Sequence, residues 1–93
     1  MERHPITYIF TDIHQECRNI CETLGIKMMG SALPRSSNAV WINYIDMIYG
    51  RRITKEDILV WGRFNDLELW HRLQFEVKLR LHFESVEKKS SES

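Results

Sequence analysis

The chain has 93 residues, enough for one small domain and not two. It is 43% hydrophobic and 28% charged, with three Trp, three Tyr and four Phe, a composition that excludes a disordered segment. Thirteen acids balance thirteen bases, which removes the excess positive field that draws proteins to nucleic acid or anionic membranes.

Pro5 opens the run Ile6-Thr7-Tyr8-Ile9-Phe10, β-branched and aromatic, and a strand is predicted there. Thr11 or Asp12 supplies an N-cap oxygen. Ile13, Cys17, Ile20, Cys21 and Leu24 then recur at helical spacing, with Gln15, Glu16, Arg18, Asn19 and Glu22 between them. An amphipathic helix follows, stopped by Gly25. Ile26 to Met29 reads as a second strand, and Gly30 to Asn38, with Pro34 and Ser36-Ser37-Asn38, as a loop. Residues 39–49 carry strand-preferring types, although Trp41, Tyr44, Ile45 and Ile48 also form a helical stripe; side-chain type favours a strand. Thr54 with Asp57 three residues on has the form of a capping box, so a helix is expected from there. Gly62 weakens its middle and Asn65-Asp66 can cap a second piece. Leu73, Phe75, Val77, Leu79, Leu81 and Phe83 alternate with Gln74, Glu76, Lys78, Arg80 and His82. Period two predicts a strand with one apolar face. Residues 1–85 are thus expected to form one globular domain, and 86–93, rich in Ser, Lys and Glu, a flexible tail.

In order, these elements give a ferredoxin-like βαββαβ domain: a four-stranded antiparallel sheet with two helices on one face. An all-α fold, histone-fold-like or a helical bundle, is the alternative.

The chemistry-bearing residues do not converge. His4, His14, His71 and His82 are scattered, and no Gly-rich phosphate loop or nucleophile elbow is present. Cys17 and Cys21 lie one helical turn apart and read as two reduced core thiols, which points to an intracellular, reducing compartment. The first ten residues do not resemble a signal peptide, and no apolar run reaches the length of a membrane span. No cofactor, metal, membrane or small-molecule substrate is indicated. The expectation is a non-enzymatic module that binds a protein partner or a second copy of itself, as a regulatory or accessory subunit.

Two stretches resemble known families. Arg35 to Tyr44 resembles the third-strand motif of RNA-recognition-motif domains, with Trp41, Ile42 and Tyr44 at its later positions, and Thr7-Tyr8-Ile9 is similar to the first-strand motif. Ala39 and Asn38 depart from the pattern. This resemblance implies single-stranded nucleic-acid binding on an aromatic sheet face, through Tyr8, Phe10, Trp41 and Tyr44, with Arg35, Arg51 and Arg52 as a basic rim. Residues 27–63 hold six bases against three acids, in keeping with that rim. Gly50 to Leu59 resembles the loop and last-helix start of histone-fold subunits, which implies that residues 39–49 and the C-terminal stretch are helical.

Overall fold

The computed structural model describes residues 4–92, with side chains described through Phe83. It is a small α+β fold of three strands and two helices: β1 (Thr7–Phe10), α1 (His14–Leu24), β2 (Ala39–Ile42), β3 (Ile58–Trp61) and α2 (Leu67–Glu92). Short 3-10 helices at Arg35–Ser37 and Ile45–Ile48 flank β2.

The sheet order is β2-β1-β3, and both pairings are parallel. The predicted four-stranded antiparallel sheet is therefore wrong, and so is the placement of both helices on one face. A central parallel strand is covered on both sides, which is why β1 reads as an almost unbroken apolar run. Tyr8 and Phe10 face one way, packed with Ile42, Ile48, Ile53, Leu73 and Val77. Ile9 faces the other way, with Cys17 and Cys21 of α1. Parallel crossovers are right-handed, so connections that run in opposite directions along the sheet lie on opposite faces. That puts α1, on the path from β1 to β2, against Ile9. It puts the 3-10 helix at 45–48, on the path from β2 to β3, against Tyr8 and Phe10. Burying each large core side chain contributes about 1.5–3 kcal/mol, and the three at the end of β1 are at most 1% exposed. Phe10 also stacks on its register partner Trp61, with ring centroids 4.0 Å apart.

β1 and α1 form where the sequence places them. Gly25 takes a left-handed conformation (φ 76°), and the Ile26 amide donates to the Cys21 carbonyl at 2.8 Å, closing the helix. The N-cap is Ile13, not Thr11 or Asp12. Thr11 Oγ1 instead accepts from the Ile13 amide two residues on.

Four other expectations are corrected. Residues 26–28 form no strand, and Met29 makes only an isolated bridge to Ala32. The run 39–49 divides into β2 and a 3-10 helix. No helix starts at Thr54. The Asp57 carboxylate does accept from the Thr54 amide, as a capping box would, but its other oxygen accepts from the Ile6 amide just before β1. The motif becomes a turn that holds the entrance of β3 beside β1. The helix begins later, at the Asn65-Asp66 signal, where Asp66 Oδ1 accepts from the Leu69 amide at 3.1 Å.

The fourth correction concerns residues 73–83, which lie in α2. On a helix each residue advances roughly 100°, so every second residue turns by roughly 200°. A period-two apolar pattern then becomes two rows of i, i+4 spacing on opposite sides. Leu69, Leu73, Val77 and Leu81 form the row that packs on the sheet. Leu67, Phe75, Leu79 and Phe83 belong to the other, and Phe75 and Phe83 are exposed. Helix propensity of Leu, Gln, Glu, Lys and Arg agrees with this outcome. Where a flexible tail is expected over 86–93, the backbone of residues 86–92 continues α2, and Ser93 lies outside the described residues.

Candidate partner-binding groove

β2 is an edge strand, paired only with β1. Its far side opens into a groove of about 550 Å³. The floor is Ala39, Val40 and Trp41. Ser31 and Leu33 of the preceding loop make one wall, and Tyr44 and Met47, before and within the 3-10 helix, make the other. Three local features build it. Asn38 adopts a left-handed conformation (φ 51°) and turns the chain from the first 3-10 helix into β2. Trp41 Nε1 donates to the Thr11 carbonyl at 2.8 Å, which fixes the indole across the sheet end. The His14 ring lies 5.7 Å from it. Tyr44 then leaves the strand half-exposed (49%).

The predicted binding residues separate into three groups. Trp41 and Tyr44 line the groove, and Arg35 is exposed in the 3-10 helix that leads into β2. Tyr8 and Phe10 lie in the core at 1% and 0% exposure. The aromatic sheet face expected to stack bases is thus covered by α2 and the 3-10 helix. Arg51 and Arg52 sit on the connection to β3. Arg51 Nε donates to the Met47 carbonyl at 2.8 Å, so that side chain props the groove wall from behind, and Arg52 is exposed.

Open parallel sheets commonly hold ligands beyond the C-terminal strand ends, where connections diverge. Here that crevice lies between the loops after β1 and β3, and it is closed by the chain's own bonds. Both Asp12 oxygens accept backbone amides, from Asn65 at 2.8 Å and Asp66 at 2.9 Å. Thr11 Oγ1 donates to the Arg63 carbonyl, and Arg63 Nε pairs with Glu16 at 2.9 Å. Gly62 fits between them: a Cβ there would lie 2.9 Å from Glu16 Cγ and 3.2 Å from Thr11 Cβ. The polar groups at the switch point therefore join α1 and the loop after β1 to the segment between β3 and α2.

The two cysteines are free and buried on the sheet-facing side of α1. Burial, followed by the neighbouring Cys21, pushes the Cys17 thiol from the ordinary 9.0 up to about 12; burial also raises Cys21. Neither is a nucleophile at neutral pH. Among the described residues no group of three or more His, Cys, Asp or Glu could hold a metal ion, and no helix is long and apolar enough to cross a membrane.

Sequence reasoning found Trp41 and Tyr44 but missed Ser31, Leu33 and Met47. These come from a loop and a 3-10 helix, and no spacing in the sequence links them. No family model, curated protein or solved structure matches the chain.

Proposed function

We propose that this protein is a protein-binding module that takes an extended segment of its partner along the outer edge of β2. The carrying observation is an edge strand that lies open in an apolar groove. A parallel edge presents unpaired backbone donors and acceptors along its free side. β2, with the sequence Ala-Val-Trp-Ile, has none of the charged or proline residues that usually discourage pairing there. An added strand satisfies those groups, while Leu33, Tyr44 and Met47 take alternate side chains from its two faces. The closure of the C-terminal crevice supports binding over catalysis, because its carboxylates and Arg63 are committed to structural bonds.

A peptide library displayed against the full chain tests this reading. Selected peptides are expected to alternate apolar and polar positions. N-methylation of alternate backbone amides should weaken them at least about tenfold, a loss comparable to one or two hydrogen bonds. Ser31→Arg, which projects into the groove from an exposed position, should do the same. Peptides whose affinity survives both changes would contradict it. Tryptophan fluorescence should not respond to mixed-sequence single-stranded oligonucleotides at low salt; salt-dependent quenching would favour nucleic acid as the ligand instead.

A further inference from the structure

The chain as a whole is charge-balanced, yet one turn gathers arginines without acids. The connection from β2 to β3 supplies Arg51 and Arg52, just after the Arg51 amide closes a turn on the Ile48 carbonyl at 3.2 Å. α2 brings Arg80 to the same place. Arg80 lies three residues after Val77 and seven after Leu73, on the side of the helix that packs on the sheet. Its Nη1 donates to the Arg51 carbonyl at 3.4 Å, a long bond to a neutral acceptor. Its Nε is buried with no hydrogen-bond partner among the described residues. A guanidinium drawn partly out of water is costly unless an anion faces it. No described carboxylate lies within ion-pair distance of Arg51, Arg52 or Arg80. Asp57 accepts from the Ile6 and Thr54 amides, and Glu76, one turn before Arg80, lines a recess with His71 and Phe75. Arg52 is exposed. Through the Arg51 carbonyl, its Cα lies within about 6 Å of Arg80 Nη1 by standard peptide dimensions, a distance that an arginine side chain spans.

We propose that Arg52 and Arg80 form a binding site for a phosphate group, either the free ion or a small phosphate monoester. Three features select phosphate. The two guanidinium forks come from different segments, and one carboxylate satisfies only one fork, whereas a phosphate has oxygens for both. The buried Nε sets the Arg80 charge at reduced dielectric, where a doubly charged anion gains most. Arg51 adds a third positive charge on the same turn, while its own Nε, bonded to the Met47 carbonyl, holds that turn in place. None of the three arginines lines the β2 groove, so this site is separate from it.

Thermal unfolding of the full chain in inorganic phosphate, against chloride at equal ionic strength, tests the proposal. About 10 mM phosphate should raise the midpoint of the parent by at least about 3 °C, as for a ligand that binds only the folded chain. Arg52→Gln, at an exposed position, should keep the midpoint in chloride and lose at least about half of the phosphate shift. Arg80→Met, which keeps an apolar stem of similar length, should lose nearly all of it. Glycerol phosphate assigns the source: a shift equal to that of inorganic phosphate supports a monoester, and a shift with inorganic phosphate alone supports the free ion. A shift shared equally by the parent and both variants is the general effect of a strongly excluded anion. That result would overturn the proposal, as would a parent that does not respond to phosphate.

Discussion

The two helices cover opposite faces of one sheet and do so with different sequence logic. α1 carries a single apolar stripe, centred on the buried Cys17 and Cys21, with its polar residues turned to solvent. α2 carries two apolar rows on opposite sides, and only the row through Leu73 and Val77 finds a place in the core. The difference shows that the apolar content of a helix is not a measure of how much of it the fold buries. α1 is complete once it has docked on the sheet. α2 keeps a second apolar row, Leu67 to Phe83, that lies outside the core.

The largest expected effect sharpens this contrast within α2. Leu73→Ala should destabilise the fold by about 3 kcal/mol, since a fully buried leucine leaves both transfer and cavity costs behind. Phe75→Ala, two residues on, should change stability by less than about 0.5 kcal/mol. Urea denaturation of both variants measures the difference, and equal costs would break the two-row reading. Asp57→Ala comes next. It removes the acceptor of the Ile6 and Thr54 amides, and charge-assisted bonds of this kind should make the loss about 2 kcal/mol by the same measurement. Gly62→Ala follows at about 1.5 kcal/mol, because the added methyl must displace Glu16, Ile20 and Thr11 on the α1 side.

The α1 face has a pH signature. Cys17 holds its proton up to about 12 in the folded chain, against an ordinary 9.0. Between those values the unfolded chain has released the proton and the folded chain has not. Stability should therefore be unaffected below pH 9 and fall as pH rises above it, by at most about 1.4 kcal/mol per pH unit from this group. Urea midpoints of the parent and of Cys17→Ala, compared from pH 8 to pH 10.5 (roughly the accessible alkaline range), should diverge in slope only above pH 9. Parallel slopes would remove the effect.

The contrast between the helices also explains what the sequence made legible. β1, α1 and the Gly25 stop could be read because local pattern and final environment agree: a strand buried on both faces is apolar throughout, and a helix docked on one side is apolar on one side. The parallel topology could not. It rests on Asp57 reaching back to Ile6 and Asp12 reaching forward to Asn65 and Asp66, bonds across some fifty residues that leave no local trace. In α2 the alternation was real but its cause was hidden, since two helical rows and one strand face produce the same string of residues. Of the candidate site, Trp41 and Tyr44 were legible as aromatics in a β-rich run. Tyr8 and Phe10 looked equivalent to them, and only the second layer of the sheet distinguishes buried from open.

The most direct test of the two-row helix is a cysteine scan of residues 73–83, with the native thiols protected by burial. Labelling of Leu73→Cys and Val77→Cys should be slow, labelling of Phe75→Cys and Phe83→Cys fast, and labelling of the half-buried Leu79→Cys and Leu81→Cys intermediate. Uniform protection of all six odd-numbered positions, with rapid labelling of the even-numbered ones between them, would mean a strand and would contradict the account.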